Sequence, residues 1–458
     1  MGPNIFGRIY APLTIFIDES PKMEATSAVT TLASKLHSNI TLAFINWYCL
    51  VPDLKYDGSR VTNWQDAFNS SRISTYDQSF TVYLYDIMGA AAVSVVNHRT
   101  DIFPNTTVNV ERFSDCGQYW PTVEQDFIGH TIGYSAAETA QDIVFKNTDV
   151  IGVFGNQYSS YAKVTGEIFS DYDIPYCTAI SGAPTLADKK LYPFLFRLME
   201  GSIDKIVNLA LQSWNVTRMA IIYEYDDLLS SATAFKIQQA MKSSGIDVVS
   251  MVKLSSFVDQ NMIDYAAIEL TVSQARYIYL SGQSDFSSKV FFSLAIEGLV
   301  GPDYVWFGQN TPGYIGTDIS KLPKLDKINS RDPWNVKRLS SWLEGFLYTS
   351  PSQSSVDTPL AHEFYKQFLE LSQFSPDNIT YLGLQLENLW GVFSMFDCVL
   401  MMLTGFDEFL KNNPQYSPQQ LSSRELSSNF NFSYFRSIQY NGLISSPLHL
   451  DENGDIEQ

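Results

Sequence analysis

Apolar and polar positions along this chain change period repeatedly, and the changes divide it into short strands alternating with longer helices. In residues 107–113 (TVNVERF) apolar side chains recur at every second position, as in a half-buried strand. Residues 41–46, 150–154, 174–179 and 195–199 read as further strands, with Pro175 near the start of the third. The spacing predicts helices over 135–146 and 158–172, the first opened by a capping box of Ser135 and Glu138. The rhythm restarts after Gly201. A helix over 203–214 leads to a buried strand at 219–223 (MAIIY), and a helix over 230–244 stops at the C-cap residue Gly245. Strands are predicted at 246–254, 275–281 and 304–308, with a helix over 287–297 between the last two. Residues 310–356 are rich in Ser, Pro and Lys and read as loop, and helices return at 360–372 and 384–404. Repeated strand–helix units with apolar strands imply parallel sheets covered on both faces. The expected fold is therefore α/β, two doubly wound units joined by several crossings.

Length agrees, since 458 residues exceed what one compact core organises and suit two or three units. The composition, 45% hydrophobic and 17% charged, is that of a folded globular protein. A formal net charge of −19 with no basic cluster repels phosphate backbones and anionic lipid, which excludes nucleic acid as a partner class. Four cysteines, Cys49, Cys116, Cys177 and Cys398, are too few for a disulfide-built scaffold and show no C-x-x-C spacing. Cys177, in a strand, and Cys398, in a helix, are expected to be buried free thiols. Sequons at Asn39, Asn69, Asn105, Asn215, Asn378 and Asn431 permit a secreted location.

Two segments bear on the membrane. Residues 9–17 (IYAPLTIFI) form a short apolar run, but Pro12 and the acidic residues after it fit a secretory leader poorly, so residues 1–38 are expected to be an irregular or strand-forming leader. Residues 389–406 approach spanning length with Asp397 in their middle. A central carboxylate is expensive in hydrocarbon, and a buried helix of a soluble domain is the better account.

Several motifs resemble one family. The stretch 149–197 (DVIGVFGNQYSSYAKVTGEIFSDYDIPYCTAISGAPTLADKKLYPFLFR), the run 105–118 (NTTVNVERFSDCGQ) and the ending 442–455 (GLISSPLHLDENGD) are similar to the Venus-flytrap ligand-binding region. Type I periplasmic binding proteins, natriuretic-peptide receptors and class C G-protein-coupled receptors share that region. ARYIYLSG at 275–282 and GLVGPDYVWFG at 298–308 resemble type-B γ-aminobutyrate receptors in particular. The resemblance implies a two-lobed type I fold: a first lobe of 39–200 plus 345–445 and a second of 201–344 plus 446–458. It further implies a receptor ectodomain on the extracellular face of the plasma membrane, joined to the membrane through a domain outside this chain. A small ligand, amino-acid-like or a carboxylate, would close the lobes, and homo- or heterodimers would form through the first lobe. No cofactor is expected.

By that resemblance the ligand site comprises Ser159 and Ser160 at a helix start, Ser181, Gly182 and Ala183 after a strand, Trp47, and across the cleft Tyr223, Glu224, Gln283 and Gln309. Ser159 and Ser160 carry two readings, an anion site at free helix N–H groups or simple N-capping. The others could equally be packed or solvated loop residues. Gly182 stands where glutamate-binding relatives have a hydroxyl, and Gln283 where γ-aminobutyrate receptors carry a Tyr, so both ligands are disfavoured. Glutamate-receptor relatives join two first-lobe loops by a disulfide, which implies Cys49–Cys116.

Enzymatic activity is not expected. The chain has no G-x-S-x-G elbow, Walker loop, G-x-G-x-x-G or H-E-x-x-H, and its five histidines are scattered. A free solute carrier and a ligand-free dimerising subunit remain as alternatives.

Overall fold

The computed structural model describes residues 38–51, 54–64, 78–116, 132–156, 158–199, 203–310, 312, 339, 341–349, 358–372, 391–431, 433–436, 441–445 and 447–456. Residues 1–37 and the sequons at Asn69 and Asn378 lie outside them, as does the start of the helix predicted over 384–404. Asn39, Asn105, Asn215 and Asn431 are exposed.

The first unit is built on β1 (Ser38–Asn46), which is buried from Ile40 to Asn46. It continues through β2 (Tyr56–Asp57), β3 (Arg60–Val61), α1 (Gln78–His98), β4 (Thr106–Ser114), α2 (Ile132–Gln141), β5 (Val150–Gly155), α3 (Ser159–Asp171), β6 (Tyr176–Thr178) and β7 (Leu195–Arg197). The sheet order is β2-β3-β4-β1-β5-β6-β7, parallel from β4 to β7 with β2 and β3 antiparallel at the edge. A central strand of a parallel sheet is covered on both faces, which is why residues 40–45 are apolar almost without alternation.

The second unit runs α4 (Ile203–Ser213), β8 (Arg218–Glu224), α5 (Leu228–Ser243), β9 (Asp247–Leu254), α6 (Gln260–Ser273), β10 (Tyr277–Ser281), α7 (Ser284–Ile296), β11 (Val305–Gly308) and β12 (Leu347–Tyr348). Its sheet is wholly parallel in the order β12-β11-β10-β8-β9. The chain then returns to the first unit, where α8 (Pro359–Ser372) and α9 (Val392–Asn412) pack on α1.

Several expectations change here. The helix predicted over 135–146 starts earlier, so Ser135 is interior and its carbonyl accepts from Thr139 Oγ1 at 2.9 Å instead of taking part in a capping box. Helix α6 was not expected. Its exposed Tyr265, Ile268 and Val272 obscure the apolar period, while Asp259 caps it by accepting from Met262 N at 2.8 Å. Because β12 belongs to the second sheet, the return crossing comes after residue 348, not at 345. The C-terminal stretch also changes sides. Leu448, Leu450 and Ile456 join the first unit's core, and buried Arg197 pairs with Asp455 and donates to Ala183 O at 2.6 Å. A guanidinium only 1% exposed requires such a carboxylate, and this draws residues 448–456 onto β7.

The cysteines also differ. Cys49 is joined to Cys116, and Cys177 to Cys398, so neither of the latter is a free thiol. The second bond ties β6 to α9 across 221 residues of sequence. Asp397, one residue before Cys398, is fully buried and accepts from Leu443 N and Ile444 N, both at 2.9 Å. Burial pushes its carboxyl up to about 7. The carboxylate in the first half of this apolar helix thus anchors a loop of the same domain. Among the described residues no helix is long and apolar enough to cross a membrane.

Candidate functional site

Ligands of parallel α/β sheets bind beyond the carboxyl ends of the strands. In the first unit those ends are β1, β4, β5 and β6, and they converge on Asn156. Gly155 precedes it at φ +127°, where a Cβ would lie 2.0 Å from Ile45 O, so only glycine fits. Asn156 itself is left-handed at φ 53° and wholly buried. Its Nδ2 donates to Asp115 Oδ2 at 2.7 Å, and its Oδ1 accepts from Tyr176 OH at 2.5 Å and Thr165 Oγ1 at 3.1 Å. Its carbonyl accepts from Ser181 Oγ at 3.1 Å and Thr178 Oγ1 at 3.3 Å. Desolvation raises the Asp115 carboxyl to about 7, opposed by the hydrogen bond from Asn156.

The predicted first-lobe residues fall around this hub. Ser181 is 1% exposed, with its hydroxyl committed to Asn156 and its N–H to Thr178 Oγ1. Ser159 Oγ accepts from Ala183 N at 3.1 Å, and the N-cap of α3 is Tyr158. Ser159 therefore staples the loop of Ser181, Gly182 and Ala183 to the helix and is not its N-cap. A Cβ on Gly182 would lie 3.0 Å from Met199 Cε. Ser160, half-buried, is the next residue of the same turn. Trp47 follows β1 and stacks on Tyr158 with ring centroids 4.1 Å apart.

In the second unit Glu224 ends β8, 2% exposed, and accepts from Gln283 N at 2.8 Å. The Gln283 amide donates to Asp227 Oδ1 at 3.2 Å, and Asp227 also caps α5 through Ser230 N at 2.8 Å. Asp226 accepts from Ser256 N and Ser255 Oγ. Burial, and after it the Asp227 charge, pushes the Glu224 carboxyl up to about 7. Tyr223 points to the sheet's other face, joining the core beneath α4 and α5, with its ring 5.6 Å from the exposed Phe235. Gln309, beyond β11, is 8% exposed.

The two groups meet. Leu229 of α5 is buried in the first unit's core, and the start of α5 packs on the turn of Pro184–Ala187. Tyr158 lies close enough to Asp227 and Glu224 that their charges add to burial in raising its phenol pKa. So Trp47, Tyr158, Glu224, Gln283 and Asp227 form one neighbourhood between the units. Sequence reasoning missed Tyr158, Asn156, Asp115 and Asp227; the one available signal was the Gly-Asn pair at the end of β5, a left-handed turn in waiting.

With this geometry in place, likeness to known proteins is informative. Residues 90–458 match the family described as the receptor family ligand binding region. The chain belongs to that family. Among solved structures it is similar to an ABC transporter substrate-binding protein from Desulfitobacterium hafniense, at TM-score 0.57 and 12% identity over 92% of this chain and 95% of that one. At that identity the likeness establishes the fold alone, a two-lobed type I periplasmic-binding-protein-like architecture. No curated protein matches the chain by sequence. This is a ligand-binding domain of the family's kind.

Proposed function

We propose that the chain is the extracellular sensing domain of a membrane receptor, closing its two units on a small ligand that carries a protonated amine. One observation supports the amine above all. Glu224, Asp226 and Asp227 cluster opposite the Trp47–Tyr158 stack, and among the described residues no Lys, Arg or His pairs with them. A cation there would meet carboxylates on one side and aromatic faces on the other. A carboxylate at the second unit would meet like charge, and of the serines expected near a ligand Ser181 donates internally to Asn156 O. Contacts to both units made only in the closed form supply the differential affinity that carries a signal.

The receptor reading rests on the family, and the exposed sequons agree with an extracellular location. Dimerisation through the first unit is supported by Phe145 and Tyr172, exposed on one surface with rings 5.3 Å apart. Internal use of the Ser181 hydroxyl favours a second reading, a dimerising subunit that binds no ligand.

A thermal-shift series on the full chain decides. n-Butylamine at ~100 times its dissociation constant raises stability by about 2.7 kcal/mol. Glu224→Gln weakens that response, and acetate gives none. Stabilisation by acetate and not by the amine refutes the charge argument; silence from every amine moves the ligand-free subunit forward.

A further inference from the structure

We propose that Gln309, Thr349 and Tyr279 form a pocket at the carboxyl end of the second sheet for an uncharged group bearing both a hydrogen-bond donor and an acceptor, a carboxamide above all. The proposal goes beyond the amine reading and stands on separate atoms. Three strands place these residues together. Tyr279 on β10 pairs in register with Phe307 on β11, and Phe307 with Leu347 on β12. Gln309 and Thr349 each stand two residues farther along their strand direction, and Thr349 N donates to Gly308 O at 3.1 Å. Side chains two apart share a face, so the three sit on the side of the sheet covered by α4 and α5.

All three have buried polar atoms without partners. Neither Nε2 nor Oε1 of Gln309 makes a hydrogen bond among the described residues, although the side chain is more than nine-tenths buried. The same is true of Tyr279 OH and Thr349 Oγ1. A buried polar group left unmatched is costly, and natural proteins rarely keep several together without something to match them.

The atoms specify the partner. Gln309 Nε2 only donates and Oε1 only accepts. A carboxylate satisfies the first and leaves the second bare; an ammonium does the reverse. A carboxamide offers a carbonyl to Nε2 and an N–H to Oε1, with the Thr349 hydroxyl free to act either way. Burial pushes the Tyr279 phenol far above its usual pKa, so at neutral pH it is a neutral donor. Register carries Gln309 level with Ser281 and Tyr223, on the face opposite Glu224, so this pocket is separate from the acidic cluster.

The experiment uses the full chain and one pair of probes, with saturation-transfer NMR comparing acetamide with acetate. Acetamide is expected to bind and acetate not. Gln309→Leu, which removes an unmatched amide from the core, should leave folding intact while abolishing the acetamide signal. Should the leucine variant not fold, Thr349→Val gives the same readout with a smaller loss. Acetamide that fails to bind, or binds both variants as it binds the parent, overturns the proposal. Butylamine binding without acetamide binding spares the amine site and sinks only this pocket; acetamide binding without butylamine does the opposite.

Discussion

The two sheets end differently where they face each other. At the first, the donors and acceptors of Asn156 are matched, two disulfides hold the surrounding strands and helices, and Ser181 is tied to Asn156, although Asp115 Oδ1 and Ser114 Oγ stay unmatched. At the second there is no disulfide, a carboxylate cluster has no cation among the described residues, and four buried polar atoms of Gln309, Tyr279 and Thr349 go unmatched. A more nearly satisfied and cross-linked network holds one geometry, whereas a less satisfied one gains most from a partner. The first unit reads as the preorganised wall and the second as the recognising one.

The sharpest way to break that contrast is to loosen the first wall. Replacing both Cys177 and Cys398 by Ala removes a cross-link spanning 221 residues, which in the chain-entropy account costs about 5 kcal/mol. Urea unfolding should show that loss in the transition of the first unit and leave the second unit's transition in place. A loss below about 1 kcal/mol would mean that the first unit owes its rigidity to packing alone.

This bond also marks where sequence reasoning reached its limit. The strand–helix alternation, both sheets and most boundaries were legible, because apolar period is a local property of the chain. Partners distant in sequence were not. Nothing near Cys177 announces Cys398, and nothing in the last residues announces that Asp455 will neutralise Arg197 and carry residues 448–456 onto the first unit. The site divided in the same way. Trp47 and Glu224 could be placed at strand ends from the sequence, but whether a hydroxyl faces outward or its own loop depends on a hydrogen bond such as Ala183 N to Ser159 that only folding reveals.

A second test weighs the cost of the first wall's order. The Asp115 carboxyl titrates near 7 when folded and near 3.8 as a free group. Below about pH 4 the group is protonated in both states and costs nothing. Between about 4 and 7 the folded protein holds a proton that the unfolded chain has lost, so stability falls as pH rises, by up to about 1.4 kcal/mol per unit. Above 7 the full cost persists. Asp115→Asn should therefore flatten the slope of unfolding free energy from pH 5 to 7 and gain most at pH 8. Glu224 and Asp397, raised to similar values, contribute slopes of the same sign that the variant leaves untouched. An unchanged slope in Asp115→Asn would show that the carboxylate reaches water.

The smallest effect separates charge from scaffold in the second wall. Asp227 has two tasks, capping α5 through Ser230 N and contributing negative charge beside Glu224. Asparagine caps a helix about as well as aspartate, so Asp227→Asn should change stability by less than about 0.5 kcal/mol, whereas Asp227→Ala should cost about 1 kcal/mol. Affinity for n-butylamine should follow charge, falling by a similar factor in both variants, because both remove one carboxylate from the cluster. If Asp227→Asn binds the amine as the parent does and only Asp227→Ala weakens it, the residue acts through helix geometry. The acidic face would then be scaffold like the first wall, and the contrast between the two sheets would rest on Gln309, Tyr279 and Thr349 alone.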